Sequence, residues 1–193
     1  MRIFVAGATG VIGRRLIPLL VSAGHEVTGM TRSPGKANQI AELGAEVIVC
    51  DVFDVQRLTS VISNFQPEIV WHQLTDLPDD PALIPNFSKA NNRIRREGTA
   101  NLLNASRAVG SPQFIAQSVA WQLPGDGGKA VLDLENAVTS TGGIVIRYGQ
   151  FYGPGTYYES EPPSHPRINI DDAAQRSLSA LEMHGGILTL CED

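Results

Sequence analysis

Three glycines at fixed spacing near the amino terminus carry the clearest chemical implication in this sequence. The segment Gly7-Ala8-Thr9-Gly10-Val11-Ile12-Gly13 follows a short apolar run and precedes apolar residues at helical spacing. In a strand–turn–helix context the first glycine permits a tight turn, the second admits a pyrophosphate, and the third lets helix and strand pack closely. The N–H groups and positive dipole at a helix start attract phosphate. The sequence therefore predicts a phosphate-binding turn made of Gly7, Gly10 and Gly13 with Thr9, Val11 and Ile12.

The residues that end the second apolar run indicate which dinucleotide would fit such a turn. A dinucleotide fold that prefers NAD usually has an acidic residue here, which binds the ribose hydroxyls. In this chain the position holds Thr31, and Arg32 and Ser33 follow. Arginine grips a 2′-phosphate through paired, charge-assisted hydrogen bonds, whereas an acidic residue would repel it. We therefore expect NADP(H) to be preferred over NAD(H); the alternative is a solvated arginine in a polar loop.

The elements that must position these residues alternate along the chain. Runs rich in β-branched residues predict strands at 3–6, 26–30, 46–50, 68–72, 113–117, 144–148 and 187–190. Apolar residues at helical spacing predict helices near 11–23, 34–43, 54–65, 86–109, 127–141 and 171–184. This alternation favours an α/β architecture, a doubly wound parallel sheet or Rossmann fold. We expect a single domain over residues 1–193, with a loop-rich insertion on the substrate side at 149–170. Pro18 falls inside the first helix and is expected to kink it or remove a hydrogen bond.

Composition limits the class of protein. The chain has 193 residues, of which 42% are hydrophobic and 18% charged, and a formal net charge of −5. The acidic balance disfavours a general nucleic-acid binder. The longest apolar runs are too short for a transmembrane helix, and the amino-terminal run is too short for a signal peptide. We therefore expect a cytoplasmic protein without nucleic-acid or membrane partners. Two cysteines, Cys50 and Cys191, make neither a zinc site nor a disulfide framework, and we expect no metal.

Several charged residues have ordinary structural explanations. Either Asp171 or Asp172 is expected to cap the following helix. Five arginines near the helices are expected mainly on solvated faces or at an oligomer contact, and for the first two the alternative is contact with a ligand. They are Arg14, Arg15, Arg93, Arg95 and Arg96.

Four motifs in the expected order resemble the extended and atypical short-chain dehydrogenases/reductases of the NAD-dependent epimerase/dehydratase type. They are the GxxGxxG spacing of residues 7–13, Arg96-Glu97-Gly98-Thr99-Ala100-Asn101-Leu102-Leu103, Tyr152-Gly153-Pro154-Gly155 and Ile170-Asp171-Asp172-Ala173-Ala174. The resemblance implies an NAD(P)-binding Rossmann fold that acts on a small molecule. We expect the C-terminal substrate region to be much reduced compared with the extended branch. Relatives often pair through the helices near 86–109 and 127–141, so a homodimer is an open expectation.

The resemblance also implies cofactor contacts beyond the glycine turn. It puts Asp51 and Val52 beside the adenine, although a turn or helix-cap role suits Asp51 equally well. It puts the turn Gln73-Leu74-Thr75 under the nicotinamide ribose. His72, which ends the fourth strand, is expected to be packed rather than to act as a base.

The catalytic residues of the family survive only in part. Ser118 occupies the position of the family serine, where it would hydrogen-bond a substrate oxygen; a polar residue at a strand end is the alternative. The family tyrosine precedes its lysine by four residues on one helix, which puts both on the same face. This chain has no Tyr-x-x-x-Lys, and alignment on Leu134-Glu135 puts Gly127 and Val131 at the two positions. Tyr152 is the substitute acid or base to consider, against a role in packing.

Two functions are therefore open. One is an NADP(H)-dependent oxidoreductase or epimerase with a non-standard active site, which the retained Ser118 and the loop at Tyr152 favour. The alternative is a catalytically inactive protein that binds a dinucleotide to sense or regulate, which the missing dyad favours.

Overall fold

The first strand shows why the sheet is covered on both faces. In β1 (Arg2–Ala6), Ile3 and Val5 pack into one apolar cluster, Phe4 and Ala6 pack into the other, and all four are fully buried. A strand that is apolar on both faces needs helices on both sides of its sheet. The computed structural model describes residues 1–110 and 112–192, and in it the chain forms three layers with the sheet in the middle.

In the part of the chain that the structure describes, seven parallel strands form the main sheet in the order β3-β2-β1-β4-β5-β6-β9. Their bounds are β1, β2 (Glu26–Thr31), β3 (Glu46–Val49), β4 (Ile69–His72), β5 (Gln113–Val119), β6 (Ile144–Tyr148) and β9 (Gly186–Leu190). The strand order reverses between β1 and β4, so the loops that follow these two strands leave toward opposite sides. Ligands of open α/β sheets bind in the crevice at such a point, outside the carboxyl ends of the strands.

Residues 1–110 and 112–192 contain seven α-helices. They are α1 (Gly13–Ser22), α2 (Ala37–Glu42), α3 (Val55–Phe65), α4 (Ile84–Arg93), α5 (Thr99–Arg107), α6 (Gly125–Thr139) and α7 (Ile170–Ser177). One turn of π-helix, Ile94–Gly98, joins α4 to α5, so the single helix predicted near 86–109 is continuous but widened in its middle. No helix in the described part of the chain is both long and apolar enough to cross a bilayer.

One detail differs from the sequence predictions. The segment predicted as loop at 149–170 contains two short parallel strands, β7 (Gln150–Tyr152) and β8 (Arg167–Asn169), which form a separate small sheet. Strands of three residues carry too little alternation to be recognised from sequence. As the sequence predicted, the first helix continues past Pro18, and α1 ends at Ser22.

Candidate functional site

The turn between β1 and α1 is built from contacts of backbone with backbone. Gly7 donates its N–H to the Met30 carbonyl of β2 at 3.3 Å, and Gly10 donates to the Gly7 carbonyl at 3.1 Å. A Cβ on Gly13 would lie 2.4 Å from the Gly7 oxygen. Gly7 has a φ of +93°, and a Cβ there would lie 2.5 Å from the Gln73 oxygen. No side chain fits at position 7 or 13, so the fold itself requires these two glycines.

The same turn leaves donors free for an anion. The N–H groups of Val11, Ile12 and Gly13 have no acceptor among residues 1–110 and 112–192, whereas that of Arg14 bonds the Gly10 carbonyl at 3.0 Å. Free N–H groups and the positive end of the helix dipole suit a pyrophosphate. Gln73, whose backbone lies against Gly7, also has a buried side-chain oxygen, Oε1, without a donor within the described chain. These orphaned groups fit a dinucleotide along the carboxyl edge of the sheet.

The last residue of β2 and the loop after it carry the candidate 2′-phosphate residues. Thr31 is buried, and its Oγ1 accepts the Ser33 N–H at 3.2 Å. Arg32 is exposed, and its guanidinium forms a two-point ion pair with Asp76, which follows β4. The distances are 2.9 Å from Nη2 to Oδ1 and 3.3 Å from Nη1 to Oδ2. The arginine expected to be available for phosphate is therefore paired with a carboxylate.

The loop after β3 contains the candidate adenine residues. Asp51 Oδ1 accepts the Phe53 N–H at 2.9 Å, so its side chain forms a turn. The cap of α3 is instead Asp54, whose side chain accepts an N–H from the first helical turn. Val52 is buried, and its carbonyl accepts from Asn101 Nδ2 at 3.1 Å. The turn role considered for Asp51 is thus observed, with the side chain exposed.

His72 supports the turn Gln73-Leu74-Thr75 from inside the core. Its Nδ1 accepts the Leu74 N–H at 3.1 Å, and its Nε2 lies 3.0 Å from Thr99 Oγ1. Because Nδ1 is an acceptor, the ring proton resides on Nε2, which donates to Thr99. Burial lowers the pKa of His72 to about 4, so the ring is neutral at neutral pH. His72 is packed, as expected from the sequence, and its ring also holds the Leu74 N–H in place.

A buried chain of polar groups links the ends of β4 and β6 to α7. Gln73 Nε2 donates to the Tyr148 hydroxyl at 3.3 Å, which lies 2.7 Å from Ser177 Oγ. Since Ser177 donates to the Ala173 carbonyl at 2.6 Å, Tyr148 is the donor to Ser177. Burial raises the pKa of Tyr148 to about 12. This phenol stays protonated and cannot act as a base near neutral pH.

Ser118, near the end of β5, belongs to a half-buried ionic cluster. Its hydroxyl donates to Glu135 Oε1 at 2.6 Å. Arg147 of β6 donates from Nε to the same oxygen at 2.8 Å and from Nη2 to Oε2 at 2.5 Å. Burial acts to raise the pKa of Glu135, but the hydrogen bonds from Arg147 and Ser118 outweigh it and hold this pKa below its ordinary value. Glu135 is therefore ionised and is the fixed centre of the cluster.

Tyr152 lies on the small sheet rather than in a free loop. Its hydroxyl donates to Glu192, which follows β9 and also pairs with Arg167 of β8 at 3.1 Å. Because Glu192 accepts a hydrogen bond from the phenol, it keeps the pKa of Tyr152 above its usual value. Both hydroxyls singled out from sequence, Ser118 and Tyr152, are thus committed to carboxylates.

The positions of the family dyad lie on α6, where the structure confirms a helix. Gly127 is in its first turn and Val131 one turn later, and neither can transfer a proton. Lys129 is exposed. In the described chain, no group of three or more His, Cys, Asp or Glu is arranged to hold a metal ion.

The arginines near the helices form more ion pairs than the sequence predicted. Arg15 Nε bonds Asp171 at 2.5 Å, and the cap of α7 is Asn169 rather than either aspartate, so that expectation was wrong. Arg96 pairs with two carboxylates of α6. Arg95 is half-buried, contacts Asn92 Oδ1 at 3.3 Å, and pairs with no carboxylate of residues 1–110 or 112–192.

Sequence reasoning missed Asp76, Glu135, Arg147 and Glu192. Each acts through a partner distant along the chain, and only Glu135 gave a local signal. It is a charged residue beside Leu134, on a face of α6 that also carries Val138, and such a residue needs a partner when it is buried.

Comparisons with known proteins agree with this architecture. A family described as NAD(P)H-binding matches residues 7–129. A 3-diazoavenalumate denitrifying reductase from Streptomyces sp. is 33% identical over 239 residues, covering 100% of this chain and 76% of the reductase. A UDP-glucose 4-epimerase from Mycolicibacterium smegmatis is 32% identical over 128 residues, covering 61% of this chain but only 38% of the epimerase.

A solved structure shows the same fold over almost the entire chain. The UDP-glucose 4-epimerase of Thermus thermophilus in complex with NAD superposes with a TM-score of 0.81 at 18% identity, covering 99% of this chain and 78% of the epimerase. The glycine turn, the strand order and these matches lead to one assignment: the chain belongs to the NAD(P)H-binding family and has the fold of the epimerase-like short-chain dehydrogenases/reductases.

Proposed function

We propose that this protein is an NADP(H)-dependent reductase whose substrate accepts a hydride without help from a protein acid. The observation that carries the proposal is the set of N–H groups of Val11, Ile12 and Gly13, which have no acceptor within the described residues and lie at a turn whose positions 7 and 13 admit only glycine. A fold that requires Gly7 and Gly13, and leaves donors unsatisfied beside them, is suited to a pyrophosphate.

The contacts proposed for the dinucleotide follow the carboxyl edge of the sheet. Gly7, Thr9, Gly10, Val11, Ile12 and Gly13 would hold the pyrophosphate. Thr31, Arg32 and Ser33 would surround the adenosine ribose, where Arg32 favours the 2′-phosphate of NADP(H). Asp51 and Val52 would flank the adenine, and Gln73, Leu74 and Thr75 would support the nicotinamide ribose.

The chemistry must do without the tyrosine and lysine of the family. The bound cofactor supplies a hydride. Ser118 would contact the substrate through its oxygen lone pairs, because its proton is held by Glu135. Tyr152, bonded to Glu192, is at most a secondary candidate. A substrate that needs only a hydride is consistent with this set of groups.

The reductase relative suggests one such reaction class. Its name describes removal of nitrogen from a diazo compound. Addition of a hydride to an arenediazonium, with loss of dinitrogen, replaces the carbon–nitrogen bond by a carbon–hydrogen bond. The substrate gains two electrons and the nicotinamide loses them, so no proton from the protein is required. We therefore propose electrophilic, diazonium-like carboxylates as the first substrates to test.

Calorimetry with NADPH and NADH tests the cofactor, and deuterium transfer tests the reaction. We expect NADPH to bind. We expect Arg32→Asp to weaken the binding of NADPH more than the binding of NADH. With NADPH deuterated at the transferred position, an arenediazonium carboxylate should yield a deuterated arene, and the diazo-free parent compound should be inert. Failure of both dinucleotides to bind would exclude this function.

The second candidate is a dinucleotide-sensing protein without catalysis. The commitment of the Ser118 and Tyr152 hydroxyls to Glu135 and Glu192 favours it. Tight NADPH binding without deuterium transfer to any electrophile would support this alternative.

A further inference from the structure

The ion pair between Arg32 and Asp76 crosses the crevice in which a dinucleotide would lie. Arg32 follows β2 and Asp76 comes four residues after the end of β4, and β1 lies between these two strands in the sheet. The pair therefore spans the end of β1, where the glycine turn begins. Both oxygens of Asp76 contact the guanidinium, at 2.9 and 3.3 Å, which is the two-point geometry that arginine also uses for phosphate.

The two partners are not equally free to move. The Asp76 side chain is 16% exposed and that of Arg32 is 57% exposed. Asp76 is also anchored through its backbone, whose N–H donates to Oδ1 of the buried Asn91 at 3.0 Å. Asp76 is thus the fixed partner, and Arg32 is the one that can turn toward a ligand.

A 2′-phosphate and Asp76 compete for the same guanidinium. The phosphate must draw Arg32 away from the carboxylate, and its own negative charge is then close to Asp76. NADH has no such phosphate, so it leaves the pair intact. We propose that Asp76 is the residue that sets the selectivity between NADP(H) and NAD(H), by acting as a built-in competitor for Arg32.

This inference rests on the proposed function, since it requires a dinucleotide in the crevice. The apparent affinity for NADPH is the intrinsic affinity multiplied by the fraction of molecules in which Arg32 is available. Asp76→Asn removes the competing charge but keeps the size of the side chain and the backbone bond to Asn91. We expect it to tighten NADPH binding about fivefold to tenfold and to change NADH binding by less than about twofold.

Calorimetry on four variants tests the proposal. Asp79→Asn removes the same charge from an exposed position three residues further on and is the control for general electrostatics. In an Arg32→Ala background, the gain in NADPH affinity from Asp76→Asn should be clearly smaller, because the arginine for which Asp76 competes is gone and only the repulsion between Asp76 and the phosphate remains to be relieved. Denaturant unfolding of each variant checks that it is folded.

The outcomes separate the selectivity role from the proposed function. If Asp76→Asn leaves NADPH binding unchanged or weakens it, the selectivity role alone is overturned. An equal gain for NADH, an equal gain in Asp79→Asn, or a gain that persists undiminished without Arg32 would do the same. If neither dinucleotide binds to the natural chain or to Asp76→Asn, the proposed function fails and this inference fails with it.

Discussion

The Ser118 hydroxyl donates its proton to Glu135 Oε1 at 2.6 Å, and Arg147 donates to the same oxygen at 2.8 Å. This relationship fixes the direction of the serine proton toward the carboxylate of α6. The lone pairs of the serine oxygen are then the groups left for a ligand. Ser118 is therefore oriented as an acceptor, and it also contributes to the stability of the cluster.

Replacement of Ser118 by alanine should lower the free energy of unfolding by about 1–2 kcal/mol, because a hydrogen bond to a charged acceptor is lost. NADPH affinity should stay within about twofold, since the expected pyrophosphate contacts come from the glycine turn. Denaturant unfolding and calorimetry measure the two quantities. A large loss of NADPH binding in a folded Ser118→Ala protein would contradict this division of roles.

Replacement of Glu135 by glutamine should change stability in a pH-dependent way. The folded-state pKa of Glu135 is below its ordinary value, so its contribution is present above about pH 4.5 and is lost as the pH falls through the lower folded-state pKa. We expect Glu135→Gln to lower the free energy of unfolding at pH 7 by about 1–3 kcal/mol and to flatten its decline below pH 4.5.

A matched control for Glu135 is Glu97→Gln, which breaks an ion pair with Arg93 between two exposed side chains. Exposed pairs of this kind contribute little. Equal losses of stability in the two variants would show that burial of Glu135 does not matter.

Replacement of His72 by asparagine should flatten a different part of the pH profile. Its pKa is lowered from 6.5 to about 4, so the unfolded chain takes up the proton first as the pH falls. The unfolded state therefore binds more protons between these values, and stability falls as the pH drops from about 6.5 to 4. Asparagine preserves an acceptor for the Leu74 N–H. In His72→Asn, the free energy of unfolding should therefore fall less steeply with pH in this window. The control is His184→Asn at an exposed position, where the free energy of unfolding should fall as it does in the natural chain.

Replacement of Gly13 by alanine should disrupt the turn. The new Cβ would lie 2.4 Å from the Gly7 oxygen, so the helix start must shift. We expect a loss of at least about 2 kcal/mol of unfolding free energy and loss of NADPH binding. Gly35→Ala, which has no atom within 4 Å of its Cβ, is the control and should leave both quantities nearly unchanged.

Replacement of Arg95 by methionine should maintain or raise stability. The guanidinium is half-buried and pairs with no carboxylate of residues 1–110 or 112–192, so its desolvation is not offset by a counterion. Methionine fills the space of the aliphatic stem without a charge. A fall of more than about 1 kcal/mol in the free energy of unfolding would show that the bond to Asn92 outweighs the desolvation.

The fold was predictable because its signals are local. Each of the seven main-sheet strands was recognised from a short apolar run, and the glycine turn from seven consecutive residues. Propensity argued against Pro18 in α1, but the buried face at Leu16, Ile17 and Leu20 prevails, which is tertiary packing overriding a local preference.

The partners within the site were not predictable for the opposite reason. Arg32 and Asp76 are 44 residues apart, and Tyr152 and Glu192 are 40 apart. Their contacts depend on the order of strands in the sheet, which no local pattern specifies. Sequence reasoning therefore located candidate side chains but not the charges that hold them.

The glycine turn has a consequence for how this sequence can vary among descendants. Gly7 and Gly13 are required by backbone contacts alone, so selection for folding would keep both even in a lineage that no longer used a nucleotide. Gly10 is different, since its Cβ would meet only the Gly7 oxygen at 3.3 Å. A lineage freed from ligand binding would be expected to lose Gly10 first, which makes this middle glycine the position whose retention marks continued use of a dinucleotide.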